Sequence, residues 1–373
     1  MNLRVNLLAI FILSICSACA QAQFDTVINL PEDPDSPNAS GFSGNSIGSF
    51  REISSNTQLN VSDGGSIGLS FDAGTFGSGV ANTNIEVNIS GGMVGNNFAA
   101  NNGSTVNISG GEFGAEFGGS FTSNFDANSG STVNISGGEF GRFFTANSGS
   151  TVNISGGTFS DGFNAQSGSN VNISGGEFLL NGSVISDFSL PLTLDEGDFF
   201  TGTLEDGSTF IFSTLPVDIF STLPVDRLIG VTLNESSIPT INTAPQTITM
   251  ASTLRSLRAG QTLTVQAGGE IGDNLNAVGA TLNIEDGSVG SDTEAASSQI
   301  NVSGGTIGDD FDAFSSTIDI SGGSVGDNFR TFNGSTVNIS GGTVGDDFDA
   351  NSGSEVNISG CLLYTSPSPR DRG

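Results

Sequence analysis

The six-residue phrase Val-Asn-Ile-Ser-Gly-Gly, repeated with small changes about every nineteen residues, constrains the fold more than any other feature of this chain. Most successive Asn anchors are 18 or 19 residues apart, and two spacings lengthen to 28 and 27, which indicates loops at residues 69–82 and 115–122. In all twelve units the residues on either side of the anchor are aliphatic, as Val106 and Ile108 are around Asn107. Such alternation is typical of a β-strand with one buried face. The anchors are Asn60, Asn88, Asn107, Asn134, Asn153 and Asn172, then Thr264, Asn283, Asn301, Asp319, Asn338 and Asn357.

The rest of each unit contains a glycine pair, a following Val or Phe, and a Phe about ten residues past the anchor. One unit cannot bury its own apolar side chains, but units stacked at about 4.8 Å per coil bury those of their neighbours. Proline is absent from residues 38–190 and 246–360, which fits strands that pair on both sides. We therefore predict an all-β fold, a parallel β-helix solenoid of about 19-residue coils in two arrays, residues 41–180 and 251–360.

A different segment, residues 181–250, separates the two arrays and contains five prolines. Within it, FFTGTLEDGSTFIF predicts a β-hairpin that turns at Asp206-Gly207. We interpret this segment as a small non-repeat β insert or cap, and residues 23–40 as an N-terminal linker or cap. If the two arrays stacked end to end, the rod would be about 60 Å long.

Both ends of the sequence are interpreted as processing features or artefacts. Residues 1–22 combine Arg4, a short apolar run and a small-residue cleavage site, which predicts a secretory signal peptide and a secreted or cell-surface bacterial protein. After Gly360 the repeat breaks in mid-phrase, and residues 361–373 resemble a translated transposase-type sequencing adaptor. We exclude that tail as an artefact and expect the natural chain to continue.

The repeat spacing resembles that of parallel β-helix proteins, both the pectin-lyase-like superfamily and repetitive secreted bacterial surface proteins of adhesin type. The resemblance covers roughly residues 40–180 and 251–360. It implies a solenoid architecture and an adhesive or structural role. It does not imply a particular activity, because activity depends on the side chains of a site and not on the fold.

The charge balance is strongly acidic, with 39 Asp and Glu against 9 Arg and a formal net charge of −30. Such a field repels nucleic acid and anionic membranes and attracts divalent cations. No apolar run beyond the signal peptide is long enough to span a membrane. The three cysteines lie in the signal peptide and the excluded tail, so the body must be held by backbone pairing and packing.

A catalytic role is not predicted. The body lacks His, Lys, Cys and Tyr, and its carboxylates recur coil after coil, whereas a catalytic site is normally one irregular place. A carbohydrate-active β-helix enzyme, either a polysaccharide lyase or a hydrolase, is kept as the alternative. A single cleft with clustered Asp, Glu and Arg would distinguish it from a structural protein.

Calcium is the one cofactor that the sequence suggests. GGTIGDDFDA (304–313) and GGTVGDDFDA (341–350) resemble the toxin-type calcium repeat G-G-x-G-x-D, although one extra residue separates the glycines. Stacking would place these acids in columns, where like charges favour a bound cation. The alternative is a solvated, screened acidic face. The candidate metal ligands are Asp309, Asp310, Asp312, Asp327, Asp346, Asp347 and Asp349.

The outward residues of the repeat form the candidate binding face. If Val106 and Ile108 point inward, Thr105 and Asn107 point outward, and the same pattern repeats up the stack. Three interpretations stay open: an Asn ladder that only stabilises the solenoid, a polar face for an extracellular polysaccharide or cell-surface partner, and an ice- or cation-binding matrix. An uncapped last coil also predicts end-to-end self-association. The candidate face is Thr105, Asn107, Thr132, Asn134, Thr151, Asn153, Asn172, Thr336 and Asn338.

Overall fold

The structure is a computed structural model that describes residues 24–32, 44–74, 83–114, 125–141, 143–160, 162–214, 228–351 and 353–359. Within these ranges every regular element is a β-strand and no helix occurs. Parallel strands stack coil upon coil, which confirms the all-β solenoid predicted from the repeat. The predicted signal peptide, the predicted artefact and most of the two long-spacing loops lie outside the described residues.

The first block of coils begins at residue 26 and ends at residue 184. Its strands are β1 (Thr26–Leu30), β2 (Ser46–Ile47), β3 (Glu52–Ile53), β4 (Thr57–Val61), β5 (Ser66–Ile67), β6 (Asp72–Ala73), β7 (Ile85–Val94), β8 (Phe98–Ala100), β9 (Ser104–Phe113), β10 (Phe125–Ala127), β11 (Thr132–Phe140), β12 (Phe144–Ala146), β13 (Thr151–Phe159), β14 (Phe163–Ala165), β15 (Asn170–Leu180) and β16 (Ser183–Val184).

Two sheets form the walls of this block. The long strands pair in the order β1-β4-β7-β9-β11-β13-β15, and the short strands pair in the order β3-β6-β8-β10-β12-β14. Repeat positions lie directly opposite each other, so Asn134 faces Asn107 on one side and Asn153 on the other. The long strands change register at Ser-Gly-Gly, where Gly138 has a φ of 100° that favours glycine.

Stacked aromatic rings fill the interior of the first block. Phe98, Phe125, Phe144 and Phe163 stack ring on ring, with successive centroids 5.0, 4.7 and 5.2 Å apart. Offset stacking of this kind adds about 0.5–1.5 kcal/mol per pair beyond simple burial. The recurring Phe of this block is therefore a core residue, and the aliphatic neighbours of the block's Asn anchors are buried beside it.

A hairpin caps the first block. Its strands are β17 (Phe199–Leu204) and β18 (Thr209–Ser213), paired antiparallel, and β19 (Thr232–Glu235) then adds to β15. On one face of the hairpin Phe212 continues the aromatic stack, 4.9 Å from Phe163. On the other face Phe199 and Ile211 belong to a separate apolar cluster. Both faces of the hairpin are therefore buried.

The second block begins at residue 246 and ends at residue 358. Its strands are β20 (Gln246–Ile248), β21 (Ala251–Ser252), β22 (Ser256–Leu257), β23 (Thr262–Val265), β24 (Glu270–Ile271), β25 (Asn276–Val278), β26 (Thr281–Ile284), β27 (Ser288–Val289), β28 (Thr293–Ala296), β29 (Gln299–Val302), β30 (Thr306–Ile307), β31 (Phe311–Phe314), β32 (Thr317–Ile320), β33 (Ser324–Val325), β34 (Arg330–Phe332), β35 (Thr336–Ile339), β36 (Thr343–Val344), β37 (Asp349–Ala350) and β38 (Glu355–Ile358).

Coils of the second block have three sides. One sheet carries the Asn anchors from β20 to β38, a second joins the two-residue strands from β21 to β36, and a third runs from β22 to β37. The third sheet is buried on both faces over β25, β28, β31 and β34. Its outward side chains are therefore covered by another part of the chain.

That covering part is the end of the first block together with its hairpin. Phe199 packs against Phe314, with ring centroids 5.6 Å apart, and the Arg255 Nε donates to Glu139 Oε1 at 3.1 Å. The Ser160 hydroxyl also donates to Asn274 Oδ1 at 2.6 Å. The third sheet of the second block thus lies against the end of the first block and its hairpin, and the length of about 60 Å expected for two arrays stacked end to end does not apply.

Candidate functional site

A continuous column of Asn side chains runs up the outer face of the first block. Each Nδ2 donates to the Oδ1 of the preceding coil, with distances of 2.9 Å for Asn107 to Asn88, 2.8 Å for Asn134 to Asn107 and 2.8 Å for Asn153 to Asn134. Asn172 adds a further step, 2.9 Å from Asn153. All four side chains are half-buried on the outward side of their strands. The structure therefore places the predicted Asn residues of this face in one ladder, and Thr105, Thr132 and Thr151 lie in register in a second column beside it.

The residue two positions before the anchor decides how many amide hydrogens the Asn uses. Where it is Glu86, the carboxylate accepts a second hydrogen from Asn88 at 2.7 Å. Glu355 accepts one from Asn357 at 3.2 Å in the same way. Where that residue is Thr, as in the coils of Asn107, Asn134 and Asn153, no described side chain accepts the second amide hydrogen.

In the second block the column of Asn side chains is interrupted at Asp319, and a neighbouring Gln side chain bridges the interruption. Asn338 donates to Asp319 at 2.7 Å, but an ionised Asp has no hydrogen to pass on to Asn301. Gln299 Nε2 fills the gap because it donates to both Asn301 Oδ1 and Asp319 Oδ2 at 2.8 Å. Thr336 and Asn338, the predicted face residues of this block, are half-buried and point outward. Their neighbouring coils carry acids, so the two blocks present different surfaces.

A shallow groove of about 460 Å³ follows the ladder of the first block. The turn of the hairpin lies at one end, where the Asp206 carboxylate accepts the Gly157 amide hydrogen at 2.7 Å. No charged side chain lines the groove among the described residues. The lining residues are Asn88, Ile89, Ser90, Asn107, Ile108, Ser109, Asn134, Ile135, Ser136, Asn153 and Ser155.

A second Asn ladder, which was not predicted from the sequence, follows the short strands. Asn128 donates to Asn101 at 2.9 Å and Asn147 donates to Asn128 at 3.0 Å. Asn101 is buried and also donates to the Gly74 carbonyl at 2.8 Å. The signal was present in the sequence, because Asn follows the recurring Phe-x-Ala of these coils.

Two carboxylates flank Ala99 beside this second ladder, in a groove of about 530 Å³. Asp72 and Asp126 are both in register with Ala99 on its two neighbouring strands. Burial raises the pKa of Asp126. Burial also raises the pKa of Asp72, and a hydrogen bond from Asn101 partly offsets that increase. The environment of these two acids therefore disfavours their ionisation.

The predicted calcium ligands form hydrogen-bonded columns. Asp309 Oδ1 accepts the Asp327 amide hydrogen at 2.9 Å, and Asp327 Oδ1 accepts that of Asp346 at 2.7 Å. Asp310 and Asp347 occupy turn positions with φ of 56° and 59°, a conformation that Asp and Asn tolerate better than most residues. The left-handed backbone thus accounts for Asp310 and Asp347.

The two remaining predicted ligands lie on the third sheet. Asp312 is buried and makes a two-point ion pair with Arg330, and Asp349 is exposed on the strand that follows Arg330. In the part of the chain that the structure describes, no group of three or more acidic residues is arranged to hold a metal ion. No helix that is long and apolar enough to cross a membrane occurs among the same residues.

The fold and its outer ladders define a β-solenoid with a repetitive polar surface. No family model matches the chain, and no curated protein matches it. Among solved structures, the chain is similar to a TibA fragment that was hyper-glycosylated by TibC. The identity is 13%, the match covers 89% of this chain and 95% of that chain, and the TM-score is 0.21. At that score the likeness carries no argument about this protein.

Proposed function

We propose that this chain is a secreted structural protein of adhesive type, displayed at the surface of a bacterium and presenting the Thr/Asn face of its solenoid to a partner. The observation that supports the proposal most strongly is the in-register outer face of the first block. Asn107, Asn134 and Asn153 are held by the ladder, while the hydroxyls of the threonines beside them make no hydrogen bond within the described residues. Identical polar groups at each coil suit a repetitive partner such as a polysaccharide or a cell surface.

Two further features support this role. The core of stacked Phe rings and the double burial of the hairpin make a stiff scaffold, which holds an adhesive surface in a fixed shape. A net charge of −30 keeps such a protein soluble outside the cell. Secretion through residues 1–22 and screening of the acidic turns by cations such as Ca²⁺ are parts of the proposal that follow from the sequence.

The test has two arms. The chain with its own N-terminal segment is expressed in a bacterium, and intact cells are treated with protease to ask whether the protein is accessible outside. Latex beads coated with the purified protein are then washed over surfaces coated with polysaccharides or bacterial cells. Beads that carry an unrelated protein of similar negative charge are the control. Protection from protease, or bead retention equal to the control on every surface, contradicts the proposal.

Polysaccharide cleavage is the second candidate function, and the Asp72 and Asp126 pair is the observation that favours it. The two strands are two coils apart, about 10 Å, which is close to the upper end of the roughly 6.5–9.5 Å separation of inverting glycosidases. Raised pKa values suit a carboxyl that donates a proton. Release of reducing ends from a panel of polysaccharides, lost in Asp126→Asn, would support this function over the structural one.

A further inference from the structure

We infer that three successive coils of the first block, those of Asn107, Asn134 and Asn153, form a binding site for an uncharged, hydroxyl-rich polysaccharide that lies along the solenoid axis. The inference rests on the proposed function, because it gives the adhesive face a location and a ligand class. It follows from the hydrogen bonds that these coils make, from the residues that limit the site, and from the charge of the groove.

The hydrogen bonds of each coil leave one donor and one hydroxyl for a ligand. Asn107, Asn134 and Asn153 each donate one amide hydrogen to the ladder at 2.8–2.9 Å. Within the described residues the second amide hydrogen of each has no acceptor. The hydroxyls of Thr105, Thr132 and Thr151 likewise have no partner there. All six side chains are half-exposed, so the unused groups face solvent.

The spacing of these groups matches an extended polymer rather than a compact ligand. Neighbouring strands of a sheet lie about 4.8 Å apart, so the same donor and hydroxyl recur at that interval up the column. The ladder fixes each amide before a ligand arrives, and groups that are already ordered lose little conformational freedom on binding. A chain that offers hydroxyls at every sugar can satisfy several coils at once.

At each end of the site at least one of the two free groups is missing. At one end Glu86 takes the second amide hydrogen of Asn88 at 2.7 Å. At the other end Asn170 replaces the threonine on the coil of Asn172, and the hairpin turn at Asp206 lies against Gly157. The free groups therefore extend over three coils.

The second block lacks an equivalent run of adjacent coils whose Thr hydroxyl and second Asn amide hydrogen are both unused. Gln299 bridges Asn301 and Asp319, and Glu355 accepts from Asn357. Among the described coils of this block the unoccupied arrangement therefore occurs only singly, on the coil of Thr281 and, further along, on the coil of Thr336. The Thr336 coil lies between neighbours that carry acids. This difference makes the second block a control surface within the same molecule.

Charge selects the ligand class. The groove along the Asn ladder has no charged lining residue among those described, on a chain with a net charge of −30. Glu86 lies in register with Thr105 at the end of the threonine column. An anionic polysaccharide would be repelled by the surrounding field, and a cationic one would be attracted to the exposed acids elsewhere. A neutral polysaccharide is neither repelled by the field nor drawn to the acids elsewhere. Its hydroxyls can both donate hydrogen bonds to and accept them from the Asn amides and Thr hydroxyls.

The decisive experiment measures binding of the full chain to mannan and dextran as neutral polysaccharides, polygalacturonate as the acidic one and chitosan as the basic one. The key variant is Thr132→Glu. Its carboxylate is placed to accept the second hydrogen of Asn134, as Glu86 does for Asn88, so the fold tolerates this arrangement. Thr336→Glu is the matched control in the second block, and Thr132→Val removes the hydroxyl without adding charge.

We expect wild-type protein to bind at least one neutral polysaccharide. Thr132→Glu should weaken that binding at least tenfold and Thr132→Val severalfold, while Thr336→Glu stays within twofold of wild type. Unchanged binding in both Thr132 variants overturns the location of the site, and preference for polygalacturonate or chitosan overturns the ligand class. If no polysaccharide binds but protein-coated beads still adhere to cells, this inference is wrong and the proposed function stands. If the beads also fail to adhere, the proposed function fails with it.

Discussion

Arg330 and Asp312 form a two-point ion pair between neighbouring coils, with Nε 2.7 Å from Oδ1 and Nη2 2.6 Å from Oδ2. The side chains are only 11% and 7% exposed, because the third sheet of the second block packs against the rest of the chain. Asp312 is among the residues predicted from sequence to bind calcium. Its carboxylate oxygens both accept hydrogen bonds from the guanidinium, which gives the acid a structural role.

Replacing Arg330 with Met should destabilise the protein strongly. Loss of one partner of a buried pair leaves an uncompensated charge, which costs about 3–5 kcal/mol. The double variant Asp312→Leu with Arg330→Met should recover most of that loss, since apolar replacement of a buried pair is often nearly neutral. Urea denaturation measures all three proteins. A double variant as unstable as the single one would show that the pair is not the main contribution.

Breaking the Asn ladder should also destabilise the protein, and a second substitution should restore the lost stability. Asn134→Asp removes the hydrogen that is donated to Asn107, which should cost about 1–3 kcal/mol. The second block tolerates an Asp at this position because Gln299, on the preceding coil, donates to Asp319. Adding Thr105→Gln to Asn134→Asp recreates that arrangement.

The measurement is again the free energy of unfolding in urea. We expect the double variant to regain a large part of the stability lost in Asn134→Asp, while Thr105→Gln alone has little effect. Equal stability of the single and double variants would mean that the Gln bridge is not what compensates for Asp319.

Asp126 should make stability depend on pH in a defined direction. Burial raises the pKa of Asp126 above its ordinary value, so the ionised form is disfavoured in the folded protein. Its contribution is therefore most favourable at low pH and is lost as the pH rises through the folded pKa. Asp126→Asn should raise the urea midpoint at pH 7 and give no gain near pH 3, which is below the ordinary Asp pKa of about 3.9.

Asp187 supplies the opposite control for that experiment. It is fully exposed, and hydrogen bonds from Ser189 lower its pKa. Asp187→Asn should therefore give no increase in the urea midpoint at pH 7. A gain for Asp126→Asn that is the same at both pH values would point to packing rather than to the charge.

Calcium should stabilise the acidic turns of the second block only through general screening. Asp309 and Asp327 each already accept a backbone amide hydrogen from the next coil, at 2.9 and 2.7 Å. Screening depends on ionic strength, so NaCl and CaCl2 at matched ionic strength should raise Tm equally. A larger rise with CaCl2 that is reversed by EDTA would contradict this expectation and support the calcium sites predicted from the sequence.

Local patterns predicted the parts of the fold that repeat within one coil. The alternation around Asn107 placed Val106 and Ile108 inside, and both are at most 1% exposed. The period of about nineteen residues predicted stacked coils, and the strands pair in that register. These features depend on a strand's two faces and on backbone pairing, both of which leave a signature in a single sequence.

The features that the sequence could not predict depend on contacts between distant coils. Phe199 and Ile211 alternate like ordinary strand residues, and nothing local shows that their face packs on the second block. The sequence also gives no sign that Arg330 pairs with Asp312, because the pairing depends on which outward side chains that packing covers. The free amide hydrogens of the three-coil site depend on the residue two positions earlier in each coil, which becomes informative only once Glu86 is seen to cap Asn88.

The most direct test of the central claim, that the outer Thr/Asn face of the first block is the functional surface, is bead retention by two matched triple variants. One carries Thr105→Glu, Thr132→Glu and Thr151→Glu, and the other carries Thr281→Glu, Thr317→Glu and Thr336→Glu in the second block. Both add the same charge at equivalent positions. We predict that the first variant loses retention on a surface that holds wild-type beads, while the second keeps it. Equal loss or equal retention by the two variants would contradict the account.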